Sequence, residues 1–551
     1  MVAPPTSQVA PLPTGLPFRL VSKTIGSGAY ASIRKAIPLN APGPVIAIKF
    51  INKDHAFKSG RLRTKQLQLE LALHASVCPH DNIIRYIAHG EDPAWVWMAL
   101  ELAEGGDLFD KIEADEGVAE DVAHLYFTQL VSAIGWCHGK GVAHRDIKPE
   151  NMLLSKNGDL KLADFGLATQ YIQQKTGIRK VCGMVCGSPP YIAPEILAVG
   201  NANLKRKNGE EKVGYDPQIA DIWSCAIVLF VLLVGNTPWD SPVMEESWEY
   251  HEYVTTNGRP NDELWDNIPA QAVELVRGML NIKPTERLSL DAVCKHQWFT
   301  RANPHLDKKG KAANPVHLAT QMLEKLRIDF DAPIQASQRD RRRQATQGDA
   351  MDMSQSSRTS LLGVATTQPP ITPINEAGFE WETRSQKPVD MQQRQSTLAP
   401  NMSLHDLSQD PSMSQFSSTP GVPFSLTQAA RQFNDIMPTH SLAWFPSRLT
   451  HAQLLPMLTS ALEQLGMPFT PPSAAALEGK EDPVSFRIKV LDANQEPLQG
   501  HLVVERSFRH GMGMLDVQFN KAKGDPLRWR RLFKHVAVLC KDAIYFVPGT
   551  R

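Results

Sequence analysis

Runs of apolar residues divide this chain into two patterned regions with a long polar stretch between them. In the first, the strand-like FRLVSKT leads into IGSGAYASI (25–33), and a second strand-like run, VIAIKFI, covers Val45–Ile51. A helical stretch follows at Arg63–Val77, and an apolar strand inside WVWMALELAEGGDLFDKI (95–112) ends at Leu100. DIWSCAIVLFVLLVG, opened by Asp221, is apolar on all sides, the pattern of a helix buried at the centre of a lobe. Its apolar run from Cys225 to Val234 is too short to span a bilayer. Pattern returns near Ser441. There Leu454, Leu458, Leu462 and Leu465 have helical spacing, strand-like runs occupy 484–492 and 501–508, and LRWRRLFKHVAVLC (527–540) predicts a closing helix. A helix, several strands and a helix make an α+β module of about 110 residues, large enough to fold alone.

The polar stretch begins after about residue 305, with no Cys between Cys294 and Cys540 and no Tyr between Tyr253 and Tyr545. From Ser337 to Gln428, 35 of 92 residues are Ser, Thr or Gln, without sustained apolar periodicity. Such a segment cannot bury enough apolar surface to offset chain entropy and is expected to be disordered. Eight of its twelve Gln follow Ser or Thr, at Ser337, Thr346, Ser354, Thr367, Ser385, Ser408, Ser414 and Thr427, where that composition gives roughly three by chance. The bland alternative is a generic Ser/Gln-rich linker. The excess favours a cluster of phosphosites for kinases that require Gln after the acceptor, each phosphate adding about two negative charges near Arg339, Arg341, Arg342 and Arg343.

Candidate chemistry concentrates in residues 144–166, HRDIKPENMLLSKNGDLKLADFG. Asp146 and Asn151 precede Asp164, which opens DFG, at the spacing used for phosphoryl transfer in protein kinases. Asp146 is expected to orient an acceptor hydroxyl and take its proton, with Asn151 and Asp164 as the metal ligands for Mg²⁺. Upstream, Ile25, Gly26, Gly28 and Ile33 fit a loop that closes over ATP phosphates, although Ala31 stands where that pattern prefers Gly. Lys49, in an Ala47-Ile48-Lys49 context, is expected to touch the α/β-phosphates and to need Glu70 to fix its ammonium. Backbone groups of Glu101 and Ala103 are expected to meet the adenine edge, and Ala47 to line the nucleotide. The Glu195 carboxylate of Ala193-Pro194-Glu195 needs a cation, for which Arg287 is the candidate.

Composition narrows the class further. Lys plus Arg equals Asp plus Glu at 58 each, which argues against a nucleic-acid binder driven by bulk charge. Seven scattered Cys, of which only Cys182 and Cys186 lie close together, suit a reducing compartment and neither disulfides nor zinc. MVAPPTSQVAPLPTG has no charged n-region and no apolar core, so it reads as a leader and not as a signal peptide.

The segments GGDLFDKIEADEGVAEDVAHLYFTQLVSAIGWCHGKGVAHRDIKPEN (105–151), DFGLAT, CGSPPYIAPE and GNTPWDSP (235–242) resemble the DNA-damage checkpoint effector kinases of the calmodulin-kinase-like group. LDVQFNKAKGDPLRWRRLFKH (515–535) is similar to the kinase-associated domain that ends those enzymes. The resemblance implies a Ser/Thr specificity marked by Lys148, a substrate Arg read by Asp107 and Glu150, and an activation segment held active without obligatory phosphorylation. It also implies upstream damage-sensing kinases acting on the Ser/Thr-Gln cluster and an intramolecular kinase-tail contact that restrains the enzyme. The insert 201–217 departs from the family and has no role assigned by it.

The resulting expectation is a bilobal α+β protein kinase using ATP and Mg²⁺. Its boundaries are a leader at 1–17, the catalytic domain at 18–300, a disordered linker at 301–440 and a regulatory domain at 441–551. Protein substrates, a monomeric state, no direct nucleic-acid contact, no transmembrane segment and a place in nucleus and cytoplasm complete it. The rivals are a metabolic or stress kinase, which has no need of the Ser/Thr-Gln cluster, and a pseudokinase scaffold, which has no need of Lys49, Glu70, Asp146, Asn151 and Asp164 together.

Overall fold

The computed structural model describes residues 12–27, 31–39, 43–58, 63–173, 176–205, 213–328, 330, 430–491, 497–509 and 512–545. They fall into two compact units, the first holding residues up to Lys325 together with 430–441, the second holding residues from Leu326 and from Leu442 onward. All eight Ser/Thr-Gln acceptors, the four linker arginines and Gly28 lie outside the described residues.

The first unit opens with an antiparallel five-stranded sheet in the order β1-β2-β3-β5-β4, from β1 (Phe18–Ser27), β2 (Ala31–Pro38), β3 (Ile46–Asn52), β4 (Tyr86–Glu91) and β5 (Trp95–Glu101). Alternation along β3 divides its side chains between two faces. Ile48 and Phe50 join Phe18, Ala36, Trp95 and Ala99 in one core, whereas Ile51 packs with Leu67 of the Thr64–Val77 helix on the other. Ala47 and Lys49 share the parity of Ile51, so they face the helix side.

The helical lobe is built around Glu120–Gly139 and Pro217–Val234. The second of these starts four residues ahead of Asp221, because Asp216 caps the amide of Gln218 and Pro217 fits the first helical position. It ends where Gly235 takes a left-handed φ of 67°. By length and composition these 18 residues are apolar enough to cross a membrane, yet 89% of them are buried in the lobe, as a core helix requires.

Residues 301–325, expected to belong to the linker, are packed in the first unit. Helix Pro315–Lys325 buries Leu318, Ala319, Met322 and Leu323, a spacing that puts all four on one face, and Tyr126 donates to the Met322 sulfur at 3.3 Å. Residues 430–441, also expected to belong to the linker, lie in the first unit as well. Phe433, Ile436 and Met437 are buried in the first unit, and a Cβ on Gly158 would lie 2.6 Å from the Phe433 ring. The Asn434 amide donates to the Lys156 carbonyl at 3.3 Å, and the Thr439 hydroxyl to the Glu104 carbonyl at 2.9 Å. Short apolar clusters at each end of a polar stretch find a surface that composition averaged over the stretch does not reveal.

The second unit is a four-stranded antiparallel sheet in the order Trp444–Ser447, Met512–Lys523, Pro497–Arg509, Val484–Leu491. Helices His451–Gln464 and Pro526–Leu539 supply Leu454, Leu458, Leu462, Phe533 and Val536 to one core with Phe486, Ile488, Leu502, Val517 and Phe519. The Trp444–Ser447 strand was not legible in the sequence, where its residues run directly into a helical pattern. The LRWRRLF stretch of the closing helix turns two of its residues inward. Trp529 is buried and donates to the Phe519 carbonyl at 3.1 Å, and buried Arg530 donates to the Leu326 carbonyl at 2.9 Å while stacking over Phe533.

Candidate active site

Two clusters of charge meet below the sheet of the first unit. In one, Lys49 on β3 reaches Glu70 Oε1 at 2.8 Å and Asp164 Oδ1 at 3.2 Å. Glu70 is held by the Thr64–Val77 helix and is buried, so its charge needs this partner. The Lys49 ammonium draws the Asp164 carboxyl well below the usual carboxylate range. Asp164 sits at φ 62°, a conformation Asp tolerates better than most side chains, and its own carboxylate accepts from the Gly166 amide at 3.2 Å.

In the other cluster, Asp146 Oδ2 lies 3.0 Å from Lys148 Nζ. Lys148 also donates to the Ser188 hydroxyl at 3.1 Å, which in turn donates to Asp146 Oδ1 at 3.4 Å. Burial opposes the Lys148 ammonium, but Asp146 and Glu150 outweigh it and raise its pKa. Asn151 turns its amide nitrogen to the Asp146 carbonyl at 2.7 Å. Its oxygen is then the end left for a cation. A carboxamide oxygen and the half-exposed Asp164 carboxylate are hard donors of few number, a set that fits Mg²⁺, which keeps several waters and takes its remaining ligands from phosphate. The clusters are tied together by the Ala163 amide, which donates to the Asn151 carbonyl at 2.9 Å.

The nucleotide edge is placed by strand register. Gly26 pairs with Ile33, Ile33 with Lys49, Ala47 with Leu100, and Lys49 with Met98. Ile25 is exposed at the sheet's open side, while Ala47 is buried. Glu101 spends its amide on the Arg85 carbonyl and its carboxylate on Lys161 at 2.8 Å, which pins the strand end, whereas among the described residues the Ala103 amide has no backbone partner. Asp107 pairs with Leu153, and exposed Glu150 lies in the Pro149–Asn151 turn that leads into that strand. One Asp107 oxygen accepts from the Phe109 amide at 2.8 Å.

Sequence reasoning missed three supporting residues. Asp221 accepts from the amides of His144 and Arg145 at 2.9 and 2.8 Å and from His138 at 2.8 Å, so it shapes the turn that presents Asp146. The available signal was an acid inside an apolar helix. His74 stacks on Phe165 of DFG at 4.7 Å and bonds the Ile84 carbonyl. Lys111 is buried beside Asp107 and Asp110, and burial lowers its pKa against their attraction. Outside the cleft, Arg287 grips Glu195 with two nitrogens at 2.6 and 2.9 Å and lies over Trp223.

The profile of the protein kinase domain matches residues 20–299. Over most of its length the chain is 35% identical to serine/threonine-protein kinase chk1 of Schizosaccharomyces pombe, covering 94% of this chain and 95% of that one. It is 33% identical to serine/threonine-protein kinase CHK1 of Saccharomyces cerevisiae, covering 98% and 99%. CBL-interacting protein kinase 11 of Oryza sativa subsp. japonica is 33% identical over 53% of each chain.

Proposed function

This chain belongs to the protein kinase family, in its CHK1-type Ser/Thr branch, and from that premise we propose that it phosphorylates proteins bearing Arg upstream of the acceptor, as a checkpoint effector that arrests the cell cycle. Asp146 orients the Ser or Thr hydroxyl and takes its proton, and Lys148, fixed between Asp146 and Ser188, steadies the phosphoryl group in transfer. Lys49, held by Glu70, positions the α/β-phosphates of ATP. Asn151 and Asp164 are the residues that would hold Mg²⁺, which when bound would offset the negative charge of the phosphates. The single observation carrying this reading is Lys49 joined at once to Glu70 and Asp164, an arrangement a scaffold has no physical need to keep.

Regulation follows from the tail. Ser/Thr-Gln phosphorylation by damage-sensing kinases would act on a chain whose return end, 433–439, lies on the catalytic unit and reaches Glu104. The similarity to the rice kinase is confined to about half of each chain, and the Ser/Thr-Gln cluster has no use in a metabolic sensor; both favour the checkpoint reading over that rival. Action in nucleus and cytoplasm as a monomer belongs to the same proposal.

One peptide assay tests the chemistry and the specificity. Asp146→Ala is expected to bind ATP normally and to lose about 10²–10⁴-fold in rate. Asp107→Lys and Glu150→Lys are expected to weaken a Ser peptide with upstream Arg far more than one lacking it. Wild-type rates in Asp146→Ala would sink the catalytic assignment, and an equal drop for both peptides would sink the substrate assignment.

A further inference from the structure

Residues 433–439 are held on the catalytic unit mainly by apolar contact. Phe433, Ile436 and Met437, at i, i+3 and i+4, put three buried side chains on one face. The Phe433 ring and Leu318 of helix Pro315–Lys325 crowd the point where a Cβ on Gly158 would lie, at 2.6 and 3.2 Å. The bare Ser155–Gly158 turn and that helix therefore form the receiving groove. Among the described residues, two hydrogen bonds join 433–439 to the rest of the unit, from the Asn434 amide to the Lys156 carbonyl and from the Thr439 hydroxyl to the Glu104 carbonyl.

The segment carries its own shape. Asp435 Oδ2 accepts from the amides of Arg431 and Gln432 at 2.8 and 2.9 Å, and the Met437 amide donates to the Phe433 carbonyl at 2.9 Å. The bonds that fix the turn lie between Arg431 and Met437, so any chain with this local sequence can adopt it. Its direction matters as much. The segment enters beside Lys156 and leaves over Gly106, where the Thr439 carbonyl takes the place a Gly106 Cβ would need. Asp107, the candidate reader of upstream Arg, is the next residue. A chain seated in this groove leaves it, in its N-to-C direction, next to the substrate acid.

We propose that the groove between the Ser155–Gly158 turn and helix Pro315–Lys325 is a docking site for protein substrates, which fill it with a short motif spaced like Phe433, Asp435, Ile436 and Met437 and placed N-terminal to the acceptor. The chain's own copy of that motif fills the site when no substrate does. Its tether gives it an effective concentration on the order of millimolar, so an incoming motif must compete with it. The role of Asp107 and of the acceptor rests on the kinase reading above, whereas the groove and its ligand do not. Docking contacts lie far from the phosphoryl group in transfer and are equal in ground and transition state, so they lower KM and leave kcat.

The test uses the full-length protein with its own motif weakened in two independent ways, by Phe433→Ser and by Ile436→Ser with Met437→Ser. The probe is a fluorescent peptide of residues 430–441, followed by anisotropy without ATP. Both variants are expected to bind it at least about tenfold more tightly than the wild type, whose own copy competes. A peptide with Ser in place of Phe433 is expected to bind at least about tenfold more weakly. Bound peptide is expected to slow amide exchange at 104–106 and 156–158. Each variant is then given two substrate peptides of one composition, with the motif before or after an Arg-containing acceptor sequence. The first is expected to show a KM about tenfold lower at equal kcat. Comparing two peptides on one variant cancels any change in basal rate. No binding, protection elsewhere, equal affinity of variants and wild type, or equal KM for the two orders would each overturn the inference. Failure to phosphorylate any Arg-containing peptide would instead overturn the kinase reading, with binding and exchange still deciding the groove.

Discussion

A carboxylate inside an apolar helix must find donors or give up its charge. Asp221 finds two backbone amides and a histidine, and it thereby fixes the backbone that carries Arg145 and Asp146. His74 meets the opposite demand. Its ring is enclosed against Phe165, and burial pushes its pKa from 6.5 down to about 4. The folded protein therefore favours neutral His74, while the unfolded chain takes a proton below its ordinary value. The stabilisation is full above about pH 6.5, falls as pH drops toward 4, and amounts to about 3 kcal/mol over that window. His74→Gln removes the titration and keeps a donor for the Ile84 carbonyl. Its thermal midpoint is expected to fall less steeply than that of the wild type between pH 6.5 and 4, as followed by calorimetry. Parallel curves would show that His74 does not titrate on unfolding.

Elements in this fold are held by contacts far along the chain. The Pro194–Lys205 helix carries Glu195, which is clamped by Arg287, whose side chain is fully buried. Arg287→Met leaves the partly buried Glu195 without a cation and is expected to cost about 3 kcal/mol. Replacing both residues by Met is expected to recover a large part of that loss, because the uncompensated charge disappears with the pair. Denaturant unfolding checks this, and a double variant as unstable as Arg287→Met would refute the charge argument. The Pro217–Val234 helix makes the complementary case. Its stop at Gly235 and its cap at Asp216 are local signals, but its burial comes from the lobe around it.

At the scale of the molecule, the long polar stretch is bracketed by ordered chain. Helix Pro315–Lys325 precedes it, and Phe433 to Thr439 follow it on the surface of the same unit. Phe433→Ser with Thr439→Ala is expected to release this return segment and raise basal activity several-fold in the full-length enzyme. Ala at all eight Ser/Thr-Gln acceptors is expected to abolish the response to DNA damage. Basal rates unchanged by the first variant, measured on the Arg-containing peptide, would show that the segment does not restrain catalysis. The sequence by itself determined the catalytic motifs, the Lys49–Glu70 pair, the closing helix and the polar composition of 337–428, since each depends on a motif or on a periodicity read within a few turns of chain. Tertiary structure alone decided that Asp221 supports the Asp146 turn, that Trp529 and Arg530 face inward, and that 315–325 and 433–439 are ordered. Those outcomes depend on partners remote in sequence, such as the Leu326 carbonyl that receives Arg530 from 204 residues away. A charged side chain can be exposed or buried at the same local pattern, and only the group that satisfies it decides which.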